Sequence, residues 1–156
     1  MAIPLHLLVI DLETRPDVEL LPADRDPEAF PKPIQHEIIT LGFLLARIEH
    51  DGESERYVIR KVGSASIADR GERNILAGFW RMVDRNKPRL VTWNGRGFDV
   101  AVLKQRSLVH GLAAYNKLHL ENHRNTRKDK AMRSGIPERT FANVATVHAS
   151  AFRGGD

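Results

Sequence analysis

Apolar and polar positions change rhythm several times along the chain, and each change marks an element. Residues 5–13, LHLLVIDLE, are apolar on both alternating faces, which predicts a central strand covered on two sides. Residues 16–35 are rich in proline and acids and read as a long surface loop. HEIITLGFLLARIEH, residues 36–50, predicts a second strand, and DGE a turn. SERYVIRKVG, residues 54–63, alternates like a half-exposed third strand, so the pair reads as a hairpin. Residues 66–88 predict one helix, with Ile75, Leu76, Phe79, Met82 and Val83 on a single stripe. Ser66 or Asp69 is its candidate cap, and Pro88 closes it. RLVTWN, residues 89–94, predicts a fourth strand. GRGFDVAVLKQRSLVHG, residues 95–111, turns through glycine into a second helix ending at Gly111.

The order strand, strand, strand, helix, strand, helix predicts a mixed α/β fold. Beyond Leu112 the periodicity dissolves. TFANVATVHASAF, residues 140–152, suits a short strand or helix equally, and nothing else there predicts an element.

Composition narrows the class. The chain has 156 residues, 42% hydrophobic and 28% charged, as expected of one globular domain with a core. No apolar run has the length of a membrane span. The N-terminus lacks the pattern of a signal peptide, and there is no cysteine for disulfides or thiolate metal sites. A cytoplasmic location with no membrane partner is therefore expected. Residues 1–112 carry 16 basic and 16 acidic residues, whereas residues 113–156 carry 8 and 4, the whole net charge of +4. That basic tail suits nucleic acid, or simply solvent. The division predicts a structured unit over 1–112 and a separate basic tail over 113–156.

The candidate chemistry lies where the first strand ends. In a strand, residues i and i+2 share a face, so Leu7, Val9, Asp11 and Glu13 line one side. Two adjacent carboxylates beyond an apolar row suit a hard divalent cation, which takes carboxylate oxygens. A D-x-E pair alone equally suits acids that reach solvent. The second feature is VTWNGRGFDVAVL, a strand, a glycine turn and a helix with Asp99 in its first turn. The helix dipole favours an acid there, and Asn94 offers a neutral polar group at the strand exit. Two rivals are a dinucleotide phosphate loop and a plain β–α turn. The first lacks its third glycine and would set Asp99 against phosphate. Phe98 suits either a wall behind the site or the core.

Together, VIDLETRPD and LVTWNGRGFDVAVLKQRSLVHGL resemble the first two exonuclease motifs of the DEDD superfamily. They are most similar to those of the predicted 3′-5′ exonucleases related to the proofreading domain of family B DNA polymerases. The resemblance spans about residues 5–112. It implies a ribonuclease H-like mixed sheet with flanking helices, and hydrolysis of nucleic-acid phosphodiester bonds with two Mg²⁺ or Mn²⁺ ions. By that resemblance Asp11 bridges both ions, Glu13 holds the one nearer the attacking water, and Asp99 holds the other through water. Thr14 and Asn94 then position the terminal nucleotide of a single-stranded 3′ end, and Phe98 packs behind it.

The third motif of that family, Y-x-x-x-D, has no counterpart. Lys61 follows Tyr57 by four residues, and His119 follows Tyr115 by four. Asp129 and Asp156 sit in unpatterned sequence, and the i, i+4 pair His119 and His123 lacks the glutamate of H-E-x-x-H. The expectation is thus a fold incomplete at its C-terminus, truncated or frame-shifted after Leu112, holding one ion or binding metal weakly. Val9 and Val91 are then expected on an under-covered sheet face. The alternative function is a non-catalytic α/β module that binds nucleic acid and metal.

Overall fold

The computed structural model describes residues 5–52, 54–95, 97–112 and 123–125. Its strands are β1 (His6–Pro16), β2 (His36–Asp51), β3 (Ser54–Ser66), β4 (Arg89–Thr92) and β5 (His123–Asn125). Its helices are α1 (Ile67–Arg70), α2 (Glu72–Asn86) and α3 (Asp99–Val109). The sheet order is β3-β2-β1-β4-β5. The first three strands form an antiparallel meander, and the chain then returns through α1 and α2 to lay β4 parallel against β1. A mixed sheet with flanking helices is an α/β fold consistent with a ribonuclease H-like domain, as the sequence predicts. The long apolar run of the first strand is explained by its place between β2 and β4.

The main core packs the helices on one sheet face. Leu8, Ile10 and Leu12 of β1 meet Ile75, Leu76, Phe79, Trp80 and Val83 of α2, with Val102 and Leu103 of α3. The predicted stripe is therefore the buried one, with Met82 at its margin. Trp80 adds a polar tie, since its indole N–H donates to the Ser107 hydroxyl at 2.7 Å.

Several boundaries differ from the pattern reading. The helix over 66–88 is two helices. Gly71 stands between them at φ 72° and ψ 149°, a backbone region open essentially to glycine alone. Ser66, not Asp69, caps α1 by accepting from the Ala68 N–H. The β1 strand runs on to Pro16 and β3 to Ser66, while β4 stops at Thr92 and leaves Trp93 and Asn94 in the following turn. The β5 strand pairs parallel with β4, His123 opposite Leu90. Three residues are too few to carry a periodic signal, so no element is predicted there. Residues 140–152, with Asp129, Asp156 and His119, lie outside the described residues. Gly71→Ala is expected to cost about 1–3 kcal/mol through strained backbone, because a Cβ there meets open space rather than a neighbour. Thermal melting of the variant measures it, and a change below a few tenths of a kcal/mol would mean that the break relaxes freely.

The expectation of an under-covered second face is not met. Val9 and Val91 are 7% and 0% exposed. They cluster with Leu7, Leu44, Ala46 and Ile48 on that face, and the ring of Tyr57 packs against them. Glu55 of β3 reaches Arg89 of β4 with two hydrogen bonds, at 2.7 and 2.9 Å. The Arg89 guanidinium, helped by the Tyr57 hydroxyl, holds the Glu55 carboxyl down at about 2 against partial burial.

A buried ionic cluster joins the elements below the site. Arg106 of α3 donates to both carboxylate oxygens of Glu72 at 2.9 and 2.5 Å, to Asp17 at 2.8 Å and to the Ile34 carbonyl at 3.0 Å. Glu72 also accepts from the Ile38 N–H of β2 and pairs with His110. Burial pushes the Glu72 carboxyl up, but Arg106, His110 and the Ile38 N–H outweigh it and hold it below its usual value. The proline-rich stretch is fastened to the same region. Gln35 donates to the Leu20 carbonyl and accepts from the Lys32 N–H through its side chain, while its backbone carbonyl accepts from the Asp17 N–H.

Candidate active site

The parallel pairing of β1 with β4 brings two distant acids to one end of the sheet. Leu8 stands opposite Leu90 and Val9 opposite Val91, so the two strands point the same way toward Asp11 and Asn94. Ligand sites in α/β sheets form where such strand ends meet helix starts. After Thr92 the chain turns at once. The N–H groups of Gly97 and Phe98 both donate to the Asn94 carbonyl, at 3.0 and 2.8 Å, and α3 begins at Asp99. The Asn94 N–H donates in turn to Asp99 Oδ2 at 3.1 Å, fixing the carboxylate across the turn. A Cβ at Gly97 would lie 2.9 Å from Asn94 Oδ1, so a side chain there would displace the Asn94 amide.

The result is an open cavity of 480 Å³ lined by Asp11, Leu12, Phe30, Trp93, Asn94, Gly97, Phe98 and Asp99. Four predicted site residues thus meet: Asp11, Asn94, Phe98 and Asp99. Glu13 is exposed, two residues along the Asp11 face, and lies outside the lining. Thr14 also lies outside it. Its neighbourhood is set by an irregularity in the β1–β2 register between Glu13 and Thr14, and its hydroxyl lies 3.1 Å from His36 Nδ1. Phe98 takes both roles left open by the sequence, packing against the core while it lines the cavity.

Three residues near the cavity carry no signal in their local sequence. Phe30 arrives from the proline-rich stretch and Trp93 from the turn after β4, and both rings are largely exposed. His36, at the start of β2, is buried between Phe30 and Phe98, with ring centroids 4.9 Å away on each side.

The electrostatics of the cavity favour a cation. Asp99 is 5% exposed. Burial pushes its carboxyl above the usual range, the Asn94 N–H and its own N–H oppose that shift, and the Asp11 charge adds to it. A hard divalent ion relieves both the burial and the repulsion, so this pair fits one. Among the described residues, no three His, Asp or Glu side chains gather closely enough to hold an ion as a set. Nor is any described helix long and apolar enough to cross a membrane.

Compared with known families, the chain matches one described as a predicted 3′-5′ exonuclease related to the exonuclease domain of PolB, over residues 28–139 of 156. The match includes the Asn94–Asp99 turn. It begins after β1 and so leaves out Asp11 and Glu13, and it continues past Leu112 into the basic tail, where the sequence patterns find no resemblance. No curated protein matches the chain.

Proposed function

The chain belongs to the predicted 3′-5′ exonucleases related to the exonuclease domain of PolB, and from that membership we propose that it hydrolyses nucleic-acid phosphodiester bonds from a single-stranded 3′ end. The observation that carries this reading is the meeting of Asp11 and Asp99 in one cavity, although 88 positions (99 − 11) separate them in the sequence. Asp11 and Asp99 would hold Mg²⁺ or Mn²⁺, with Glu13 turning inward from the same face to complete the set. Such an ion, when bound, activates water and stabilises the leaving 3′-oxygen.

The remaining residues bind and orient. Asn94 donates or accepts at the rim through its amide, and Thr14 contacts the terminal sugar. Phe30 and Trp93 offer exposed rings on two sides of the cavity, suited to stacking unpaired bases without regard to sequence. Phe98 and Leu12 form an apolar floor that limits water around the acids. Among the described residues, three of the four acids that the resemblance implies are present, and with those alone turnover is expected to be slow. A 5′-labelled single strand incubated with Mn²⁺ should shorten stepwise from its 3′ end, and Asp11→Asn should abolish the shortening. Cleavage that proceeds equally well in Asp11→Asn would refute the assignment.

A further inference from the structure

We propose that His36 is a positioning residue: buried between Phe30 and Phe98, it holds the exposed Phe30 ring as a fixed wall of the acid cavity, so that a terminal base meets a preformed stacking surface. The inference rests on the reading of that cavity as the seat of a nucleic-acid 3′ end.

Phe30 is 76% exposed and nevertheless lines the cavity. A ring with so little contact has few groups to fix it. Its centroid lies 4.9 Å from the His36 ring, at an interplanar angle of 38°, and 6.0 Å from the Phe98 ring, at 55°. His36 and Phe98 meet edge to face at 4.9 Å, so the three rings form one cluster. Phe98 is half-buried, and His36 is the fully buried member at 4% exposed. The imidazole is thus the anchored surface on which the Phe30 ring rests.

The backbone beside Phe30 is tied to the same imidazole. His36 Nε2 lies 3.1 Å from the Pro31 carbonyl oxygen. A carbonyl only accepts, so Nε2 carries the hydrogen and donates it. Burial holds the imidazole below its ordinary value, against the opposing pull of that carbonyl, so near neutral pH it sits among the aromatic rings uncharged. Thr14 Oγ1, 3.1 Å from Nδ1, fixes the other side of the ring. Pro31 is itself buried, and a proline restricts the residue before it, here Phe30, to extended backbone. The chain entering Phe30 is closed as well. The Arg25 guanidinium donates to the Pro27 and Ala29 carbonyls, and the Ala29 N–H donates to the Asp26 carbonyl at 3.1 Å. An aromatic wall fixed in this way before binding has little freedom left to lose when a base stacks on it.

The test measures binding, so it does not depend on turnover. Fluorescence anisotropy with Ca²⁺ present compares two matched single strands, one with an intact 3′-terminal nucleotide and one with an abasic sugar there. The unaltered chain should prefer the intact end by about tenfold, the scale of one base stacked on an aromatic ring. Phe30→Ala should reduce the preference to about two- to threefold, with Trp93 remaining. His36→Leu should do the same although Phe30 is present, and the double variant should lose no more than either single one. Independent effects would instead multiply. His36→Gln keeps an N–H for Pro31 but no ring; it should fall between, and it serves if the leucine variant does not fold. A loss of stability alone would weaken both strands equally and leave the preference unchanged. An unchanged preference in the His36 variants, multiplying losses in the double variant, or equal binding of the two strands by the unaltered chain overturns the inference alone. Failure of the unaltered chain to bind either strand overturns the exonuclease reading, and this inference with it.

Discussion

Replacing Arg106 with methionine is expected to cost the folded chain about 3–5 kcal/mol, the usual effect of removing one partner from a buried ion pair. The guanidinium satisfies four oxygens at once, two on Glu72, one on Asp17 and one on the Ile34 backbone. Methionine fills much of the same volume, so the loss is electrostatic rather than a cavity. Glu72 would be left buried and charged, with only His110 and the Ile38 N–H for partners. Against a typical total of about 5–15 kcal/mol, that loss removes a large share of the stability. Urea denaturation reads it directly. Adding Glu72→Gln to the same chain removes the stranded charge while keeping an acceptor for Ile38, and should recover part of the loss. A single variant as stable as the parent would mean that the cluster contributes nothing net.

The second large effect has the opposite sign. Asp99→Asn should raise the melting temperature of the metal-free protein. The side chain is buried, lies in the same cavity as Asp11, and has its carboxyl pushed above the usual range by burial and by that neighbour. A carboxyl raised in the fold is favoured when protonated. Its stabilising contribution is therefore complete below about pH 3.8, its ordinary value, and is lost as pH climbs through the raised one. At neutral pH the parent carries the penalty and the asparagine variant does not, while the Asn94 N–H still finds an oxygen to bond. Each kcal/mol relieved moves the midpoint by about 2–4 °C in a chain of this size. The difference should close in acid. Mn²⁺ should reverse the ranking, since at a hundredfold excess over its Kd an ion adds about 2.7 kcal/mol to the parent and little to the variant. If the metal-free variant melts below the parent at pH 7, the acid pair is not strained and the case for a cation there weakens.

Much of this arrangement is legible in the sequence, and the residues show why. A strand apolar on both faces must be central, so β1 was bound to have neighbours on each side. A strand, a tight turn and an acid at a helix start place Asp99 beside a neighbouring strand end. Gly71 was harder to read, because the apolar stripe continues past it in phase and hides the break. The Glu72–Arg106 pair reads locally as two solvated charges. Yet Glu72 stands three and four residues before Ile75 and Leu76, and Arg106 stands three and four after Leu103 and Val102, so both lie on buried stripes. A charge in phase with a core stripe is a signal for a buried partner. His36 and Phe30 had no such signal. Their role depends on a proline-rich stretch folding back over β2, a contact that periodicity does not describe.

A titration of the metal-free protein with Mn²⁺, followed by calorimetry at low ionic strength, tests the central claim most directly. The unaltered chain should bind the ion, weakly for a site of few carboxylates. Asp11→Asn and Asp99→Asn should each lose that binding, and Glu13→Gln should reduce it. Binding that persists unchanged in both aspartate variants would place the ion elsewhere and contradict the account.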